Sequence, residues 1–132
     1  METLASTAVV KTDRAARYAK QMAAHMGRKI STAFAEDTLL GHLTFPERGT
    51  CLMKCDDSTL TFELESTSEH LENLEKIIGG HLARFGAGPN GLVVRWVRAD
   101  KQPGTVQGPY TKEEVAQRRR EYQLRQQQQN AN

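Results

Sequence analysis

Between residues 30 and 65 the chain alternates apolar and polar side chains in four short runs, and this pattern constrains the fold more than any other feature. KISTAFA carries Ile30, Thr32 and Phe34 on one side and is followed by a Glu36-Asp37 turn. TLLGHLTF places Leu39, Leu43 and Phe45 together, with Gly41 between them where a close backbone approach or a bulge is expected. PERG at 46–49 is turn chemistry. TCLMKC aligns Cys51, Met53 and Cys55, and Asp56-Asp57-Ser58 turns the chain again. TLTFELE alternates most strictly, with Leu60, Phe62 and Leu64 facing in and Thr61, Glu63 and Glu65 facing out. Period-two runs joined by short turns make an antiparallel meander with one wet face.

The flanks read as helices and outer strands. TAVVK at 7–11 is a short strand, and Thr12 or Asp13 caps a helix over 14–27 with Ala15, Ala16, Ala19, Met22, Ala23 and Met26 on one face. A second amphipathic helix is expected over 68–85, capped by Thr67 or Ser68. Its apolar stripe is Leu71, Leu74, Ile77, Ile78, Leu82 and Phe85. Counting about 100° per residue puts His81 on that stripe, facing the core or its rim. The pair Gly79-Gly80 just before it signals tight packing or a bend. LVVRWV, with Leu92, Val94 and Trp96 on one side, is the last strand. The expected fold is therefore α+β, a two-layer sandwich of order β-α-β-β-β-β-α-β. Both helices cover one face of a largely antiparallel sheet.

The expected domain is residues 1–98, and 99–132 is a linker, an exposed helix and a disordered Gln-rich tail. KQPGTVQGP has linker composition, and Thr111 with Glu114 forms a capping box. The helix that follows offers only Val115, Tyr122 and Leu124 as apolar residues. Residues 1–98 hold 12 Lys/Arg against 12 Asp/Glu, and residues 99–132 hold 6 against 4, so the extension supplies the whole net charge of +2. A nucleic-acid footprint on the domain would have to be local, with Arg118, Arg119 and Arg120 of the tail as the alternative contact. No apolar run approaches the ~20 residues that cross a bilayer, and no secretory signal opens the chain, so a cytoplasmic location is expected. Cys51 and Cys55 lie ~13 Å apart along a strand, beyond disulfide reach, and read as reduced structural thiols.

Candidate chemistry gathers between the helices. Arg14, Tyr18, Gln21, His25 and Arg28 run at spacings of four and three along one edge of the first helix. If the helices lie side by side, Tyr18 and His25 face His81 across a groove. The candidate ligand-binding residues are Tyr18, Gln21, His25, Cys51, His81 and Arg84, with His25 and His81 as candidate metal ligands. The alternative is that both imidazoles only make interhelical hydrogen bonds, and the pattern leaves the two open. No catalytic residue is assigned, because no nucleophile sits in a local signature. No motif assigns a cofactor.

RYAKQMAAHMGRK (17–29), FPERGTCLMKCDD (45–57) and HLARF (81–85) together resemble the signature blocks of a bacterial family, domain of unknown function 2218. The resemblance covers roughly residues 7–98. Matching positions are Tyr18, Lys20, Gln21 and His25, then Phe45, Gly49 and Cys51, then His81, Leu82, Arg84 and Phe85. Where many members carry a second histidine three residues after the first, this chain has Arg28. The resemblance implies a short α+β protein, associated in some members with siderophore and iron-uptake proteins. The resulting expectation is a non-catalytic binding or accessory module tied to iron or siderophore handling, taking a small ligand or an iron-related partner protein. The alternative is an interaction module that forms a homodimer, for which an apolar strip around Leu40, Leu52 and Val93 would speak.

Overall fold

The computed structural model describes residues 3–130. Its strands are β1 (Thr3–Lys11), β2 (Ser31–Ala35), β3 (Leu40–Phe45), β4 (Gly49–Cys55), β5 (Thr59–Thr67), β6 (Val94–Arg98) and β7 (Pro103–Gln107). The helices are α1 (Ala15–Met26), α2 (Leu71–Phe85) and α3 (Lys112–Asn130). One seven-stranded sheet runs in the order β2-β3-β4-β5-β1-β6-β7, and its pairings are antiparallel throughout. The fold is α+β, with helices packed on a sheet, as the alternation implies.

The long β1, paired with β5 on one side and β6 on the other, makes two crossovers necessary. α1 carries the chain from β1 out to the edge strand β2, and α2 carries it from β5 over β1 to β6. The two crossovers start from strands of opposite direction and move in opposite directions along the sheet. Crossovers of one hand then place both helices on one face. The core lies between: Ala19, Met22 and Met26 of α1 and Leu71, Leu74, Ile78 and Leu82 of α2 bury against Leu43, Met53, Phe62 and Trp96 of the sheet. Phe62 and Trp96 stack with centroids 5.8 Å apart.

Among the described residues, no helix lies over the opposite face of the sheet. His42 stands exposed there, as its position in the alternation predicts. Leu40, Leu52 and Val93 are half-buried, and the exposed apolar residues are instead Val9 (59%), Val97 (52%) and Val106 (52%).

Several boundaries differ from expectation. β1 starts at Thr3 rather than Thr7, because its full length pairs with β5 from Thr3↔Thr67 to Lys11↔Thr59. α2 starts at Leu71, not Ser68: residues 68–70 form a turn closed by the His70 N–H on the Thr67 carbonyl, and no side chain caps the helix. α1 likewise lacks a side-chain cap, since Thr12 Oγ1 accepts from the backbone N–H of Arg14, the residue before the helix. Gly41 marks a close approach and not a bulge. The β2-β3-β4 register runs unbroken through it, and a Cβ there would sit 2.6 Å from Met53 Cε.

The largest correction concerns residues 99–110, expected to be a linker. They contain β7, so the division expected between 98 and 99 falls between two paired strands. β7 escapes the pattern rules because polar bonds hold it. Gln107 is buried, its Oε1 accepts from Trp96 Nε1 at 2.8 Å, and its Nε2 donates to Thr105 Oγ1 at 2.8 Å. Thr105 in turn donates its N–H (3.1 Å) and its hydroxyl (3.0 Å) to Glu75 Oε1. Beyond β7 the expected capping box is present: Glu114 N–H donates to Thr111 Oγ1 at 3.0 Å and Thr111 N–H to Glu114 Oε1 at 3.1 Å. α3 is largely exposed, as its composition implies, but it continues through the glutamines to Asn130. The end of the expected disordered tail, Ala131 and Asn132, lies outside the described residues.

The Gly79-Gly80 pair resolves into two unlike positions. A Cβ on Gly79 would overlap Gln107 Oε1 and lie 3.1 Å from Trp96 Nε1, whereas one on Gly80 meets nothing nearer than Arg84 Nη1 at 3.4 Å. Gly79→Ala must displace a buried amide and orphan an indole N–H. Each effect costs about 1–3 kcal/mol, against a helix gain of about 1 kcal/mol. Gly80→Ala keeps the gain alone. In urea unfolding, Gly79→Ala is expected to lose about 2–3 kcal/mol and Gly80→Ala to gain up to about 1 kcal/mol. Equal midpoints for the two variants would show that Gln107 yields freely.

Candidate functional site

α1 and α2 run antiparallel but are staggered along their axes, so that Tyr18 lies beside the residues after α2 and the last turn of α1 meets the C-terminal half of α2. There the rings of His25 and His81 meet edge-on with centroids 5.0 Å apart, and His25 also meets Phe85 edge-on at 5.7 Å. Ile77, His81 and Phe85, spaced by four, form one ridge on the flank of α2 that faces α1. The approach of His81 to α1 is therefore as the amphipathic pattern predicts.

His81 is half-buried, and Arg84 one turn later reaches back so that its Nη2 donates to His81 Nδ1 at 3.0 Å. A guanidinium has no lone pair to offer, so Nδ1 is the acceptor and the ring proton sits on Nε2. Burial first, then the charge of Arg84, the neighbouring His25 and Lys29, lower the His81 pKa from 6.5 to about 4. His81 is a neutral N–H donor at neutral pH.

The imidazole pair forms a wall between two clefts. One, of about 640 Å³, lies between the helix pair and α3 and is lined by His81, Arg84, Phe85, Arg118, Arg119 and Arg125 among others. The other, of about 480 Å³, lies on the far side of the pair, with Met26, Ile30, Phe45 and Ile77 as apolar walls and Arg28, Lys29 and Arg48 as bases. The Arg48 guanidinium stands 5.5 Å over the Phe45 ring, and that of Arg118 stands 5.1 Å over Tyr110. Burial, and then the charge of Arg118, pull the Arg84 guanidinium below its ordinary value, so these two cations feel each other across the first cleft.

Of the residues expected to share a site, His25, His81 and Arg84 come together and Tyr18, Gln21 and Cys51 do not. Tyr18 lies almost two turns before His25 on α1, and it lines a separate cleft with Gly86, Gly88 and Leu92. Gln21 is exposed. Cys51 is buried on the inner face of the sheet with Leu43 and Leu64 as cross-strand neighbours, and burial pushes its thiol far up. A helix edge with spacings of three and four is long; only its last turn reaches α2 near His81. Both cysteines are free thiols. Among the described residues no group of three or more His, Cys, Asp or Glu side chains is gathered as a metal-binding set.

The arginines of α3 are the lining residues that the pattern did not assign to the site. Their signal is the spacing of Val115, Arg118, Arg119, Tyr122 and Arg125, which puts them on one stripe of the helix. That stripe faces the cleft. Among the described residues no helix is long and apolar enough to cross a membrane.

The fold is similar to the NMR structure of PA4090 from Pseudomonas aeruginosa, with a TM-score of 0.56, 20% sequence identity, and coverage of 75% of this chain and 98% of that one. No curated protein matches the chain. A family model described as an uncharacterized protein conserved in bacteria, DUF2218, matches residues 7–97, a span that runs from β1 into β6 and includes both imidazoles. The chain belongs to the DUF2218 family of bacterial proteins.

Proposed function

We propose that the protein is a non-catalytic binding module whose ligand straddles the His25–His81 wall and combines an apolar part with an anionic part. The observation that carries this reading is the neutral, half-buried His81, held by Arg84 against His25 between two clefts. One cleft sets Ile30, Phe45 and Ile77 beside Arg28, Lys29 and Arg48, and the other sets Phe85 and Val115 beside Arg84, Arg118, Arg119 and Arg125. Apolar walls with a few charged groups are what a small-molecule site requires, and His81 and His25 border both clefts.

The association with iron handling takes a specific form at such a site. Two imidazoles among Arg28, Lys29, Arg84 and Arg118 repel a bare cation, so iron would enter only within an anionic chelate. The interaction-module reading has less behind it. Val9, Val97 and Val106 are separate valines among Thr7, Thr61 and Arg95, and isolated exposed apolar residues are ordinary on protein surfaces.

Salicylate, an aromatic carboxylate that combines ring and charge, is a suitable probe. In an NMR titration it is expected to move the ring signals of His25, His81 and Phe85, and His81→Ala is expected to weaken binding about tenfold. Unmoved ring signals would remove the groove as a site. Zn²⁺ is expected to leave the melting temperature unchanged, and a clear rise abolished by His25→Ala would instead support direct metal ligation by the pair.

A further inference from the structure

The extension beyond the matched family span changes what the groove can hold, an inference that rests on the groove being a ligand site. α3 begins at Lys112, after the family match has ended at residue 97. It turns Arg118, Arg119 and Arg125 toward the cleft that already contains Arg84, while Arg120 is not among the lining residues. Among the described residues, none of these lining arginines has a carboxylate within ion-pair distance. The one acid on the lining, Glu121, accepts from Gln117 Nε2 at 3.2 Å.

Four guanidiniums around one cleft with a single acid, Glu121, on its lining repel one another, and an oxyanion placed among them reduces that repulsion. Guanidinium forks match the paired oxygens of both phosphate and carboxylate. The cleft, about 640 Å³, has the size of a small-molecule site. We propose that α3 makes the histidine groove a receptor for a small, multiply charged oxyanion, with Arg84, Arg118, Arg119 and Arg125 as charge contacts and His81 Nε2–H as a further donor. A phosphorylated ligand and a polycarboxylate satisfy this chemistry equally, because both present clustered anionic oxygens.

Calorimetric titration of the full chain at low salt tests the proposal, with inorganic tripolyphosphate in one arm and citrate in the other. Binding is expected in at least one arm with Kd below ~1 mM, and the arm that responds identifies phosphate or carboxylate chemistry. The combined variant R118Q/R119Q/R125Q changes exposed positions only and should keep the circular dichroism of the parent. It is expected to bind at least ~10-fold more weakly. R119Q and R120Q remove equal charge from adjacent positions, and only R119Q is expected to weaken binding. The proposal is overturned by silence in both arms, by undiminished binding to the combined variant, or by equal losses in R119Q and R120Q. Tighter binding of a short single-stranded oligonucleotide, with R120Q as damaging as R119Q, would overturn it in favour of a nucleic-acid partner. If salicylate still moves the His25 and His81 rings while any of these results holds, the groove stands and the role given to α3 falls.

Discussion

Glu75→Ala is expected to lower the free energy of unfolding by about 2–4 kcal/mol, because Ser6 and Thr105 lose a charged acceptor while the partly exposed Arg98 can turn to solvent. Glu75 lies on the sheet side of α2 with no solvent exposure. Oε2 accepts from Ser6 Oγ at 2.6 Å and Arg98 Nε at 3.3 Å, and Oε1 accepts from Arg98 Nη2 at 3.1 Å and from both donors of Thr105. One carboxylate thus joins β1, α2, β6 and β7. Alanine would leave these donors without their acceptor beneath a helix. Burial by itself would raise the Glu75 pKa, but the Arg98, Ser6 and Thr105 bonds outweigh it and hold the carboxyl below its ordinary 4.5. A depressed folded-state pKa means that this stabilisation is complete above the unfolded-state value and is lost as pH falls through the folded one. The parent should therefore lose stability below about pH 4.5 more steeply than Glu75→Ala does. Urea unfolding at neutral and acidic pH measures both effects. A neutral-pH loss under about 1 kcal/mol would show that desolvation cancels the network.

Ending the chain after Arg98 is expected to be more damaging, although the family match stops at residue 97. The cut removes both Thr105 donors from Glu75 and the Gln107 acceptor from the buried Trp96 indole. It also uncovers the α2 surface at Gly79, which Gln107 packs against. Bonds to a charged acceptor contribute about 1.5–3 kcal/mol each, and an unpaired buried donor costs about 1–3 kcal/mol. The total, roughly 4–9 kcal/mol, rivals the 5–15 kcal/mol that holds an ordinary domain together. Ending after Tyr110 keeps β7 and its bonds, and should cost no more than about 2 kcal/mol. Thermal unfolding followed by circular dichroism separates the cases. A sharp, unshifted transition in the chain ending at 98 would show that β7 is dispensable.

Both predictions turn on residues whose local pattern is silent or misleading. Glu75 falls at the stripe spacing of Leu71, Ile78 and Leu82, and nothing in α2 alone says what accepts a charge there. Its partners come from residues 6, 98 and 105, which only the sheet order brings together. β7 has one large apolar side chain, Val106, and it points outward, so alternation could not reveal the strand. The His25–His81 meeting was legible, because both lie on helix faces that must share one side of a sheet. The exclusion of Tyr18 and Gln21 was not, because it depends on where along their lengths two antiparallel helices come together.

Periodicity alone thus determined the α+β class, the strands of the meander and their inward faces, the two covering helices, and the capping box that starts α3. These are local: period two, period 3.6 and turn residues act over a few positions, and burial of one apolar face leaves few ways to stack the layers. The tertiary structure decided the seventh strand, the acceptor network of Glu75 and the arginine lining of the histidine cleft. Each depends on polar groups far apart in the chain, and a hydrogen bond or ion pair leaves no periodic trace in the residues that form it.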